Sequence, residues 1–443
     1  MRVSAVSLDR QVPLRPSIAP APVIPVDTAA LVRRALRRTS RRLVAALPRS
    51  ARHALIRRQL AIPAALPKGL RFKVAETREE LEAAFALLHD AYVEQRFIEP
   101  QPSGLYLTPQ HALPSTSTLI AVLDGQVVGT VTLVRSNPLG LSLEKAFDLG
   151  GLKQNGARIA EVSSLAIHRD VRRDFGGAIF FPLTCFLFRY SVHYFGLDYY
   201  VIVVYPQHAD FYESIFCFDP LGDEIVEDYL GAPAAAFSLD LKAVPVKFAA
   251  RYGGLPPERN AYEAFVERPY SEFEFPDRRY AKISDPVMTP ELLDYFFNKR
   301  SNLFSTLDTR QRQALAFCYR RPEYDGVLPP IDETVPPVVP GEERYDVRFK
   351  GQLRTGDRGR RVPMSVVDVS RFGFKARPRS GVHVGQELVA MMAVGDFALA
   401  ELRAVPLWAD EDGTYGFRVL DASESWSKFV DYLATDLHKK PAV

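Results

Sequence analysis

Ile159-Ala-Glu161-Val-Ser163-Ser164-Leu-Ala-Ile167, followed at once by His168-Arg169-Asp170-Val-Arg172-Arg173-Asp-Phe-Gly176-Gly177-Ala178, decides the fold. The first nine residues are an apolar run with small polar interruptions, the pattern of a strand. The next eleven concentrate arginine and glycine ahead of a strongly apolar helix, Gly176 to Phe195. Such a turn offers a phosphate backbone N–H groups, the positive end of the helix dipole and guanidinium groups. Arg169, Arg172, Arg173, Gly176 and Gly177 are therefore the candidate phosphate-holding residues.

Working outward, Phe72 to Ala75 reads as a strand, and Thr77-Arg-Glu-Glu80 is a capping box opening a helix through about Gln95. Leu119 to Leu123, the turn Asp124-Gly125 and Val127 to Leu133 read as a hairpin. Downstream, Tyr199 to Tyr205 is a buried strand and Ala209 to Ile215 a short helix. The order is strand, helix, hairpin, strand, long helix, strand, helix, strand, which is an α+β domain. Helical patterns follow at Pro290 to Phe297 and Thr309 to Tyr319. Val335-Pro-Pro-Val-Val-Pro340 is then the best linker in the chain. From Glu342 to about Leu420 short strands alternate with Gly-bearing turns, as in a small β-barrel, and Trp426 to Leu437 closes it as a helix. The expected division is a basic arm over 1–69, an α+β domain with a helical extension over 70–325, a Pro-rich linker over 326–341 and an all-β barrel over 342–443.

Two motifs mark the barrel. Arg344-Tyr-Asp-Val-Arg348 stands at the entry to its first strand, and Asp368-Val-Ser370-Arg-Phe-Gly373 ends the next. The arginine fork matches guanine O6 and N7 or phosphate oxygens, and its plane stacks on a base. A carboxylate and a hydroxyl can bond a guanine edge, and glycine permits close backbone approach. Either motif alone reads as an ordinary surface turn. Together, before a barrel pattern, they closely resemble the PilZ family, bacterial receptors for cyclic di-GMP. The resemblance implies ligand contacts at Arg344, Arg348, Asp368, Ser370 and Gly373.

The central stretch resembles the GNAT acyltransferases: Arg173-x-x-Gly176-Gly177-Ala178 fits the loop that holds an acyl donor's pyrophosphate or phosphopantetheine. Val204-Tyr-Pro206-Gln-His208-Ala-Asp-Phe211-Tyr212 is similar to the later segment that carries a tyrosine near the acyl sulfur. Within that superfamily the chain resembles the N-acyl amino acid synthases, over roughly Leu70 to Tyr319. The resemblance implies an acyl carrier protein thioester or acyl-CoA as donor, bound through Arg169, Arg172, Arg173, Gly176 and Gly177, and an amino acid as acceptor. Glu161 is the candidate base for the attacking amine, and Tyr212 the donor to the departing thiolate. Backbone N–H groups around Leu165 to Ile167 are candidates for polarising the carbonyl. Plainer readings stand beside these: Glu161 as a salt-bridged strand-edge residue, Tyr212 as a core aromatic, His208 as a packing or capping histidine, and Tyr92 with Arg96 as a helix face. Two other functions compete: a non-catalytic cyclic di-GMP receptor on a degenerate platform, and an acetyl-CoA N-acetyltransferase.

Charge is unevenly placed. Residues 1–75 carry sixteen Lys and Arg against Asp9 and Asp27, a net +14, so the remainder carries −11. From Leu31 to Leu60 arginine pairs alternate with apolar residues, a basic amphipathic helix interrupted at Pro48. It suits an anionic membrane surface, an acidic carrier protein, or the protein's own acidic body. Residues 1–30 read as disordered. Cys185, Cys217 and Cys318 lie far apart, which excludes a disulfide framework and a CxxC metal site. No metal and no nucleic-acid polymer is expected. No uncharged apolar run of about 18 residues is present. The expected location is the cytoplasm, with peripheral contact at the inner face of the cell membrane through the arm.

Overall fold

The computed structural model describes residues 47–436 except 138, 154–156, 223–224, 230–231, 277–287, 320–321, 332–344, 355–358, 360, 372, 381, 395–398 and 410–412. The expected helix before Pro48, the disordered reading of 1–30, most of the linker and Arg344 lie outside the described residues.

Strand β4 (Ile159–Ile167) is buried at every position, because both faces of its sheet are covered. With β1 (Leu70–Val74), β2 (Thr116–Leu123), β3 (Gln126–Arg135), β5 (Tyr199–Val204), β6 (Asp219–Pro220), β7 (Val226–Tyr229), β8 (Ala232–Asp240) and β9 (Phe273–Glu274), it forms a mixed sheet. The order is β6-β8-β5-β4-β3-β2-β1-β9, with β7 also on β8. Asp124 (φ 50°) and Gly125 (φ 82°) turn β2 into β3; a turn of this kind needs left-handed backbone at both positions.

Helix α1 (Arg49–Arg58) precedes the sheet, and α2 (Arg78–Glu94) covers one face. At its start Thr77 Oγ1 accepts from Glu80 N at 3.2 Å and Glu80 Oε2 accepts from Thr77 N at 3.3 Å, the box expected from the sequence. Helix α3 (Arg169–Tyr190) covers the other face. It continues as a wide π turn, Ser191–Phe195, and ends at left-handed Gly196. Phe175–Phe195 is long and apolar enough to cross a membrane, yet two-thirds of it is buried, so packing on the sheet accounts for its apolarity. Gly129 on β3 lets α3 approach: a Cβ there would sit 2.8 Å from Ile179 Cγ2.

Helix α4 (Ala209–Phe216) follows β5, and α5 (Val244–Tyr252) follows β8. The helical extension, Pro290–Leu293 with Asp294–Arg300 and then α6 (Thr309–Cys318), packs on α2 through edge-on Phe85 and Phe296. The result is a mixed α/β domain.

The C-terminal domain is a closed antiparallel barrel of β10 (Tyr345–Arg354), β11 (Arg361–Val369), β12 (Gly373–Pro378), β13 (Leu388–Ala393), β14 (Leu399–Ala409) and β15 (Tyr415–Ala422), in the order β10-β11-β12-β15-β14-β13. Closure leaves no free strand edge. Helix α7 (Glu424–Asp436) plugs it with Trp426, Phe429 and Leu433, all fully buried.

Candidate functional site

Strands β4 and β5 run parallel and pair over only three positions, ending at Glu161↔Val201. Beyond that point β4 stays with β3 as far as Gly129↔Ile167, while β5 stays with β8 as far as Val204↔Ala235. The two strands splay, and a wedge opens inside the sheet. A bulge at left-handed Ser164 (φ 56°) bends β4 on its open side. His168 N–H donates to Val128 O at 2.8 Å. By strand alternation, the N–H groups of Leu165 and Ile167 therefore face the wedge. Buried amides need partners.

Glu161 stands where the wedge closes. It is 3 % exposed, and its Oε2 accepts from Ser142 N at 2.7 Å and Leu143 N at 3.4 Å. Burial pushes its pKa up to about 7, against the pull of those two N–H groups. Glu161 is thus an interior carboxyl bonded to backbone, which corrects the salt-bridged edge reading. A group that titrates near neutrality suits proton transfer.

On the α3 side lies an apolar, partly open cavity of about 60 Å³, bounded by Val162 and Leu165 of β4, Ile202 of β5, Phe180 and Thr184 of α3, and Tyr212 of α4. Tyr212 is 5 % exposed and its hydroxyl has no hydrogen-bond partner. Burial pushes that hydroxyl's pKa up, so it stays protonated and able to donate. An orphaned buried hydroxyl is costly and calls for an acceptor inside the cavity.

The phosphate cradle differs from expectation. The Arg/Gly-rich segment is not a turn: α3 begins at Arg169, and Gly176 and Gly177 lie inside it. Helical hydrogen bonding commits the N–H groups of both glycines. The helix start is capped instead, with Val171 N and Arg172 N on His168 O and Asp170 N on His168 Nδ1. Arg172 is turned to Glu94 at 3.1 Å, and Arg169 is exposed beside Asp170. The side chain of Arg173 lies outside the described residues.

The opposite sheet face holds what the sequence reading missed. Register sets Thr118, Thr132 and Ser163 abreast on three adjacent strands. All three are buried, and the Thr132 hydroxyl has no partner. Tyr92, fully buried, bonds Ser164 beside Glu161 and Tyr106, whereas Arg96 leaves α2 in a left-handed turn and is exposed. The Tyr92–Arg96 helix face is thereby split. Alternation in β3 was the available signal, since Thr130 and Thr132 put hydroxyls on one buried face of a central strand. His208 sits at the entry to α4.

Helix α1 docks on α4. Arg52 makes two bonds to Asp210, at 2.9 and 3.1 Å, and His53 Nε2 lies 3.0 Å from Asp210 and 3.2 Å from Glu213. Burial opposes the charge on Asp210, but Arg52 and His53 outweigh it and hold its pKa below the usual range. His53, Asp210 and Glu213 have metal-ligand spacing, yet both carboxylates are already matched by Arg49 and Arg52. This part of the arm lies on the protein's own acidic helix.

In the barrel, Arg348, Asp368, Ser370 and Gly373 fall on the adjoining strands β10, β11 and β12 or the turn between the last two. Asp368 is 4 % exposed and pairs with Lys375 at 3.0 Å. Ser370 closes the turn, its Oγ donating to Gly373 O at 3.0 Å.

A splayed sheet, a buried carboxyl with its pKa pushed up to about 7 and an apolar cavity are parts that acyl transfer to an amine can use. Residues 83–240 match the model of the family "N-acyl amino acid synthase FeeM". Among solved structures, FeeM from uncultured soil microbes, an N-acyl amino acid synthase, is 20% identical, with coverage of 40% of this chain and 93% of that one and a TM-score of 0.35. The CoA-dependent acyl-homoserine lactone synthase BjaI is 20% identical over 48% of this chain and 95% of its own, TM-score 0.35. The AHL synthase LasI is 19% identical over 43% and 96%, TM-score 0.31. Likenesses of this size carry no inference about chemistry. No curated protein sequence matches the chain.

Proposed function

We propose that the first domain moves a long acyl chain from a carrier-protein or CoA thioester to the amine of an amino acid. The observation that carries this is the apolar cavity beside the wedge, with the Tyr212 hydroxyl as its unsatisfied polar group. The thioester would lie in the wedge with its carbonyl toward the N–H groups of Leu165 and Ile167 and its chain in the cavity. The amine nitrogen forms its bond to the carbonyl carbon and gives its proton to Glu161, directly or through water. The C–S bond breaks, and the sulfur takes its electron pair and a hydrogen bond from Tyr212. Glu161 then passes the proton to the thiolate.

The barrel, on this reading, is a PilZ-type domain that binds cyclic di-GMP through Arg344, Arg348, Asp368, Ser370 and Gly373. Both family motifs and a closed six-stranded barrel support it. The test is acyl transfer from C2 to C16 thioesters, on CoA and on carrier protein, to a panel of amino acids, with products weighed by mass spectrometry. A preference for acetyl would favour the N-acetyltransferase. No product with any donor would favour a non-catalytic receptor.

A further inference from the structure

The two domains meet where α3 ends. Arg348 of β10 donates from Nη1 to Val192 O at 2.9 Å. Its guanidinium lies over left-handed Gly196, where a Cβ would stand 2.8 Å from Arg348 Cζ. A side chain there would have to displace the guanidinium. Contact also runs the other way: Arg158, just before β4, donates from Nη1 to Phe195 O at 3.0 Å and from Nη2 to Val367 O at 3.2 Å. Val367 lies opposite Arg348 in the bulge between the Asp346↔Asp368 and Phe349↔Val366 pairs. On the next strand Arg377 pairs with Ser365 and holds Thr414 Oγ1 from its Nε at 2.9 Å.

Three guanidinium groups therefore gather at this seam. Although Arg348 as a residue is exposed, its pKa is lowered, first by burial of the guanidinium and then by Arg158 and Arg377. Asp198 alone opposes this, and its carboxylate is already shared with Lys242 Nζ at 2.8 Å and Arg158 N at 2.9 Å. Like charges held together with one shared counter-charge favour an anion between them.

We propose that this seam is a single anion site built by both domains, in which Arg158 of the acyltransferase domain joins Arg348 and Arg377 of the barrel on the phosphates of a cyclic dinucleotide. The proposal rests on the cyclic di-GMP reading of the barrel. It makes the ligand a clamp across the domain boundary, with Arg158 tied through β4 to Glu161 three residues on. Regulation then reaches the wedge along β4.

The experiment is calorimetry of cyclic di-GMP with the full chain in wild type, Arg348→Ala, Arg158→Ala and Arg377→Gln. Thermal melts check that each variant is folded. Arg377→Gln removes no bond across the seam, so it tests the site even if Arg158→Ala disturbs the domains. Arg158→Ala and Arg377→Gln should each weaken binding roughly 10- to 100-fold, the loss expected for a charge-assisted contact. Wild-type affinity in both, with Arg348→Ala impaired, would overturn the shared site and leave the barrel reading standing. Tighter binding in Arg158→Ala would also overturn it, because the seam would then compete with the ligand. Absence of binding in wild type would remove the cyclic di-GMP reading itself.

Discussion

Replacing Glu161 by Gln tests the wedge chemistry through two independent readouts. The carboxyl's pKa is raised from 4.5 to about 7, so its ionised form is disfavoured in the fold by about 3 kcal/mol. Below pH 4.5 the carboxyl is protonated in both folded and unfolded chains, and there is no penalty. As pH rises from 4.5 to 7 the unfolded chain ionises first, so stability is lost across that window and stays lower above it. Gln keeps the shape and still accepts from Ser142 N, but does not titrate. The variant's stability relative to wild type should therefore climb by about 3 kcal/mol between pH 4.5 and 8. Far-UV circular dichroism under denaturant follows it, since Trp408 and Trp426 both lie in the barrel. Turnover should meanwhile fall by roughly 10²–10⁴, with partial recovery at high pH where the amine is already neutral. The wild-type rate should rise through pH 7, an inflection the variant lacks. Parallel stability curves would show that Glu161 does not titrate in this window. Undiminished turnover in Glu161→Gln would refute its role as base.

Tyr212→Phe should slow thiolate departure, with a smaller loss for a donor bearing a good thiol leaving group; equal losses for all donors would point to packing alone. Leu165→Trp should fill the cavity and shift the preferred donor to shorter chains, read from relative kcat/KM across the acyl series. Gly129→Ala should cost about 1–3 kcal/mol of stability by pushing α3 off β3, measured by denaturant unfolding. Arg52→Glu should release α1 from α4, seen as faster tryptic cleavage at Arg57 and Arg58 and a weaker dependence of that cleavage on salt.

Local signals with a steric or hydrogen-bonding cause were legible in the sequence. Thr77 and Glu80 could cap only a helix, and Asp124-Gly125 could turn only a hairpin. Apolar periodicity located α3 but not its start: the arginines of 169–173 carry no apolar stripe, and glycine pairs argue for a turn, whereas His168 and tertiary packing extend the helix to Arg169. Glu161 was visible by its place in a strand. Its buried, backbone-bonded state was not, because Ser142 and Leu143 lie 19 and 18 residues away in sequence. The seam at Arg158 and Arg348 was hidden for the same reason. Charge asymmetry showed that the arm would seek an acidic surface; only packing reveals that α1 finds it on α4.

The pairing of early with late segments bears on how this chain is made. Strand β1 is flanked on its outer side by β9, with Phe72 N bonded to Glu272 O, and α1 is held by Asp210. At synthesis rates of roughly 5–20 residues per second, about 10–40 s pass between emergence of β1 and of its neighbour. Throughout that interval the nascent domain presents an uncovered strand edge bearing the sequence Leu-Arg-Phe-Lys-Val. The alternating Arg71 and Lys73 are the charged residues by which such an edge resists pairing with another chain. Their value is therefore greatest on the ribosome, before the finished fold shields the strand they protect.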